Sequence, residues 1–357
     1  LVLVLENLQL VEVAPGVLSS IRAVRVVHVL PHEVREVPVD VVGNVVEADL
    51  NAATLAAPVI EFDPAGNVVR AWGDPEVIGD RLHDCHVDSE GHIWLVSAGT
   101  GVLQKYSSDG SQLLQQIGQS GKYDSSDGTR EGQPLNSDQA QFFLPASVDV
   151  DPSNGDIYVA DGETARGNYR IAVLDREGRF LRQWPLHRSE TERDLTPVPH
   201  CVRLANDGLV YVCDRVNDRI QVFQKDGTYV DEVVISGRTR GFGSAFDVDF
   251  SRDAEQRYLY NIDGMNQKVW LLNRTTLEVL GSFGFGGHVA GGFTAAHSQA
   301  VDSSGNIVFP LIGEIEAAGR TECDVVTPVV QLDWPALDRV REQKTREPFS
   351  GTSCIRR

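Results

Sequence analysis

One phrase recurs along this chain from residue 59 to about 310: an apolar run, a tight Asp-x-x-Gly or Asn-Gly turn, and a second apolar run. It is read at His86-Val87-Asp88-Ser89-Glu90-Gly91-His92-Ile93-Trp94-Leu95-Val96, at Val148 to Val159 around Asn154-Gly155, at Val202 to Val212, at Val248 to Tyr260 and at Ala300 to Phe309. Amphipathic hairpins alternate with these units, as in Val59-Ile60-Glu61-Phe62 and Val68-Val69-Arg70-Ala71-Trp72 around Gly66-Asn67. Glycine and asparagine supply the positive φ that tight hairpin turns need. The first kind of unit is almost continuously apolar, as strands buried on both faces are. The second alternates, as strands with one face in water do.

The apolar units start near residues 83, 146, 200, 246 and 297. That is a period of roughly 50 residues, lengthened once by a polar insert, Gln119 to Gln141. Four strands per unit at such a period predict an all-β chain folded as a β-propeller with four antiparallel strands per blade. A pair of β-sandwiches or a β-helix is the alternative the same strands allow. Five units are visible, and the hairpin at 59–72 needs a sixth, whose inner strands must come from residues 1–58. There Val24 to Val29 and Val41 to Val46 read as strands. The expectation is one six-bladed domain over 1–357, with 1–58 the irregular first-blade strands, 59–310 the clear repeats and 311–357 a closing segment and tail.

A hydrophobic share of 41% supports a core of that size. The formal charge of −19 argues against nucleic acid or an anionic membrane surface as partner, while leaving room for a local cationic site. No apolar run approaches a membrane span. Leu1 to Leu5 is too short for a signal peptide's apolar region and has no basic flank; the chain does not start with Met and is expected to be processed or incomplete, so its compartment stays open. Five cysteines are too few for a disulfide scaffold and leave at least one thiol unpaired. Cys85, Cys201 and Cys213 fall in apolar strands and are expected as buried thiols; Cys323 and Cys354 are a candidate pair.

His83, His200 and His297 hold the same place in the first, third and fifth units, just ahead of the apolar strand, where the intervening units carry Ala146 and Phe246. Alternate blades of six are 120° apart, so three imidazoles in this register converge on the central channel. Three histidines and one open position make the ligand set of a catalytic zinc, which keeps its charge among neutral imidazoles and polarises a hydroxyl or water. Cys85 and Cys201 are softer donors nearby, though strand alternation turns Cys201 away from His200. The bland reading of any one of the histidines is a hydrogen-bonded rim residue.

Leu82-His83 with Asp88, Val198-Pro199-His200, Asp214-Arg215 with Asn217 and Arg219-Ile220, and His297 with Val301-Asp302 resemble the lyase domain of peptide-amidating enzymes. That family is peptidyl-α-hydroxyglycine α-amidating lyase with its bacterial six-bladed NHL-repeat relatives. The resemblance covers roughly 59–310 and is strongest over 198–223. It implies Zn2+ on the three histidines, Arg215 facing substrate, and cleavage of a C–N bond to an amide and glyoxylate. It also implies a secreted or periplasmic protein.

Two positions depart from the family. Its tyrosine base directly follows the Asp-Gly that matches Asp161-Gly162, where this chain has Glu163; Tyr169 stands six residues later. Its third histidine is followed by an aspartate that helps bind a structural Ca2+, where this chain has Ser298. The leading expectation is a zinc-dependent lyase acting on a small-molecule or peptide-derived substrate, with Arg215, Glu163 and Tyr169 as candidate catalytic groups. Glu163 as general base toward a metal-bound water suits a hydrolase or lactonase instead. The third reading is a non-enzymatic NHL-type binding scaffold. The insert before residue 142 emerges on the histidine side, as a lid or as a plain surface loop.

Overall fold

The computed structural model describes residues 81–188, 195–287 and 296–301, with shorter stretches at 4–7, 20–25, 58–62, 68–79, 292–293, 305, 307–308 and 329–331. Its body is four successive four-stranded antiparallel meanders. Sheet I is Leu82–Val87, Ile93–Ser97, Val102–Tyr106 and Leu113–Ile117. Sheet II is Pro145–Val150, Ile157–Asp161, Arg170–Leu174 and Phe180–Pro185. Sheet III is Pro199–Leu204, Val210–Asp214, Arg219–Phe223 and Tyr229–Val234. Sheet IV is Asp247–Phe250, Tyr258–Asp263, Lys268–Asn273 and Val279–Phe283. The first strand of each sheet lies against the first strand of the next, which is how blades surround a propeller axis.

Burial on both faces explains the apolar runs. In sheet II, Ile157 and Val159 pack with Trp94, Val96 and Leu103 of sheet I, while Tyr158 and Ala160 pack with Val202, Val210 and Val212 of sheet III. Because strand side chains alternate, one short segment serves two inter-sheet cores, and every position must be apolar. Fully burying each such side chain contributes about 1.5–3 kcal/mol.

Carboxylates bind the inner strands to one another. Asp84 accepts from the backbone N–H of Val148 at 3.1 Å, Asp149 from that of Leu204 at 2.7 Å, Asp249 from that of Val301 at 2.7 Å. Asp88 is a turn residue, accepting from the backbone of Glu90 and His92; Asp149 instead reaches across to the next blade. Asp302 lies outside the described residues.

Val4–Asn7 and Ser20–Arg25 pair with each other and join Val329–Gln331, Ile307–Val308 and Ala300–Val301 in a five-stranded sheet. The hairpin of Val59–Phe62 and Val68–Trp72 forms a two-stranded sheet. Among the described residues, the N-terminal strands therefore sit with the last repeat; the expected strand at Val41 to Val46 lies outside them. No helix among the described residues is long and apolar enough to cross a membrane.

Two cysteines correct the expectation of free thiols. Cys201 and Cys213 are register partners on neighbouring strands of sheet III, with Cα atoms 4.9 Å apart, and form a disulfide. Directly opposed antiparallel residues bring their Cβ atoms within bridging range, which sequence spacing alone does not reveal. Cys85 is a free thiol, but an exposed one and not the buried residue expected, and Cys323 and Cys354 lie outside the described residues.

Candidate metal centre

His83 and His200 open the inner strands of sheets I and III, and His297 precedes the short strand Ala300–Val301 of the five-stranded sheet. Their rings form a nearly equilateral triangle, with centroids 4.8 Å, 4.9 Å and 4.8 Å apart. One nitrogen from each lies within 4.8 Å of the others. The intervening sheets orient the rings: Nδ1 of His83 donates to the carbonyl of Ala146 at 2.7 Å, and Nδ1 of His200 to that of Phe246 at 2.6 Å. A carbonyl can only accept, so Nδ1 carries the proton and Nε2 the lone pair. Nε2 of both His83 and His200 is buried and makes no hydrogen bond.

Burial, first among the causes, lowers all three imidazole pKa values, those of His200 and His297 well below the usual range. The Arg215 charge adds to the effect on His200, and the neighbouring His83 to that on His297. Neutral imidazoles, fixed tautomers and convergent lone pairs without another use are the donor chemistry of a transition-metal site. The residues fit a metal ion.

Glu163 stands at the edge of this triangle. Its Oε1 lies 3.9 Å from Nε2 of His83 and 3.8 Å from Nη2 of Arg215, while Oε2 accepts from Nη2 of Arg81 at 2.8 Å. Gly162 makes the placement possible: its φ is +146°, and a Cβ there would fall 1.6 Å from the carbonyl oxygen of Asn168. Arg215 donates to the Glu163 carbonyl at 3.1 Å, and its guanidinium stacks over Phe242 and Phe246 at 5.3 and 5.1 Å. Asp214, a candidate partner for it, is taken instead by Arg219 at 2.9 Å, by Asn217 and by the N–H of Val198. Arg219 and likewise Arg170 are structural.

Arg81 escaped the sequence reading. Its φ of +51° is rare for a residue with a side chain, and the one available signal was its place two residues before His83. Tyr169 lies elsewhere: its N–H donates to Asn136, and its ring lines an open groove with Trp184, His187 and Tyr229. Cys201, held in the disulfide, offers no thiolate. The insert is tied down to its surroundings, with Tyr123 donating to the Gly99 carbonyl at 2.6 Å and Asp124 gripping Asn168 and Arg170 as well as Ser137 within the insert.

The NHL repeat family model matches residues 196–223, the stretch that carries His200 and Arg215. Human NHL repeat-containing protein 3 is 33% identical over 172 residues, 47% of this chain and 45% of that protein. Peptidyl-glycine alpha-amidating monooxygenase B of Xenopus laevis is 30% identical over 158 residues, 42% of this chain and 16% of that protein. The chain thus spans about half the length of the NHL protein and a small part of the monooxygenase. A streptogramin B lyase structure superposes with a TM-score of 0.51 at 14% identity, covering 93% of this chain and 98% of the other, a likeness of fold alone. Residues 196–223 thus carry an NHL repeat, the matched segment is homologous to part of the peptidylglycine α-amidating monooxygenases, and the four-stranded sheets share their fold with a streptogramin B lyase.

Proposed function

We propose that this chain is a six-bladed propeller with a zinc centre on His83, His200 and His297, and that it acts as a metal-dependent lyase resembling peptidyl-α-hydroxyglycine α-amidating lyase. The observation that carries the reading is the triangle of neutral imidazoles, each drawn from an alternate repeat, with the lone pairs of His83 and His200 buried and unused. The equal spacing of the three rings also supports six blades, since alternate members of six are related by a threefold turn. When bound, the ion supplies a positive charge that polarises a substrate hydroxyl.

The protein's own groups do the rest. Arg215, backed by two aromatic faces and anchored on the Glu163 carbonyl, is a fixed cation for a substrate carboxylate or carbonyl oxygen. Glu163, held by Arg81, is the nearest carboxylate base to the imidazole edge and receives the hydroxyl proton. The substrate class is a small α-hydroxylated amide or a peptide-derived equivalent.

Glu163 also favours a second reading. A carboxylate where the lyases have tyrosine suits activation of water, hence hydrolysis of a lactone or ester on the same frame. Three measurements decide. Stoichiometric zinc that is lost in His200→Ala supports the centre, and protein without bound metal leaves only a binding scaffold. Glyoxylate released from an α-hydroxyglycine peptide supports the lyase. Lactone opening without glyoxylate supports the hydrolase.

A further inference from the structure

The resemblance to the lyases implies a structural calcium beside the third histidine, and the residues around Ser298 can be tested for it. Calcium takes six to eight oxygens at about 2.3–2.6 Å, usually with several carboxylates. The next residue, Gln299, donates its backbone N–H to Asp247 Oδ2 at 3.0 Å. The other oxygen of that carboxylate, Oδ1, lies 3.4 Å from Nη2 of Arg203. The Nη1 group of the same guanidinium donates to Ser147 Oγ and the Val202 carbonyl, both at 2.9 Å, with Asp84 Oδ2 at 3.3 Å and the Val148 carbonyl at 3.4 Å sharing the same two hydrogens. Asp84 directly follows His83, and Asp247 directly follows Phe246, whose carbonyl orients His200. The guanidinium therefore occupies the layer beside the histidines, where inner-strand carboxylates gather.

We propose that Arg203 is a built-in cation that does the cross-linking work of a structural calcium, so that this fold needs no calcium. One side chain on sheet III joins Asp84 of sheet I, Ser147 and Val148 of sheet II and Asp247 of sheet IV. A guanidinium has five donors in a rigid fork and keeps its charge at any working pH, which suits several acceptors around one point. The carboxylates a calcium would need are already engaged by it, and serine at 298 removes a further one.

The test uses the whole purified chain. Metal analysis is expected to find calcium far below one equivalent, and, with zinc kept saturating, the melting temperature is expected to be the same in calcium-free buffer and in millimolar calcium chloride. Arg203→Met leaves buried carboxylates facing one another and is expected to melt on the order of 5–10 °C lower. Calcium is then expected to restore most of that loss in the variant while leaving the parent unmoved. If Arg203→Met does not fold, Arg203→Lys keeps the charge without the fork and is expected to melt below the parent, unmoved by calcium; an Arg203→Lys that melts like the parent then overturns the proposal. A full equivalent of calcium in the parent, a parent whose melting temperature rises when calcium is added at saturating zinc, or a folded Arg203→Met that melts like the parent or ignores calcium overturns the proposal. None of these readouts depends on the histidine centre.

Discussion

Nδ1 of His200 donates to the carbonyl oxygen of Phe246 at 2.6 Å, so a backbone group of one blade sets the tautomer of a histidine on the blade before it. His83 and Ala146 repeat the arrangement at 2.7 Å. The intervening units carry no imidazole at the matching position, yet they decide which nitrogen faces the other two rings. His200→Ala should therefore abolish stoichiometric zinc binding. The loss in affinity should exceed the roughly 10–100-fold that losing an outer-layer hydrogen bond costs. Isothermal titration with zinc, on protein shown folded by circular dichroism, checks it.

Glu163→Gln keeps the shape of the side chain and removes the base. With either substrate class, kcat should fall by about 10²–10⁴ with KM nearly unchanged. Loss of KM alone would instead assign Glu163 to binding, and steady-state kinetics across pH separates the two.

Arg170 is 1% exposed and holds Asp161 at 2.9 Å and Asp124 at 3.1 Å, while donating to Gln183 and to the backbone of Gln141. Burial pushes the Asp161 carboxyl above its ordinary range, with Arg170 pulling it back. Arg170→Met strands these carboxylates between the insert and the strand that leads to Glu163. Urea unfolding should show a loss of about 3–5 kcal/mol.

The disulfide joins residues 12 apart. By loop entropy it contributes about 2–3 kcal/mol. Cys201→Ala with Cys213→Ala should lower the denaturation midpoint accordingly, and reducing agent should lower the parent to the same value but leave the double variant unchanged.

Burial raises the Asp247 carboxyl to about 7, against the opposing pull of Arg203. Its folded pKa thus exceeds the ordinary carboxylate value near 3.9. The folded state holds a proton there that the unfolded state releases, so stability falls as pH rises from about 4 to 7 and then levels off. Asp247→Asn cannot ionise. Relative to the parent, its melting temperature should improve across that window and change no further above pH 8.

The repeat was legible because each blade is short and local: turn glycines, alternating hairpins and doubly buried strands follow from backbone sterics and water exclusion within about 50 residues. The histidine register was legible for the same reason, since a position kept in alternate repeats is kept around an axis. Partners set by neighbouring blades were not. Arg81 meets Glu163 across 82 residues, and Arg203 meets Asp84 across 119, so nothing in local spacing announces either pair. Cys201 and Cys213 looked like two apolar strand residues until register placed them opposite each other.

The sequence by itself therefore determined the all-β repeat and the identity of three imidazoles in matching register. Tertiary structure alone decided that Arg215 turns to Glu163 while Asp214 takes Arg219, and that Arg203 bridges Asp84 and Asp247 of two other sheets. The physical reason is that patterning encodes which face a side chain takes, whereas electrostatic partnership is chosen among charges that only the packing of neighbouring sheets brings within reach.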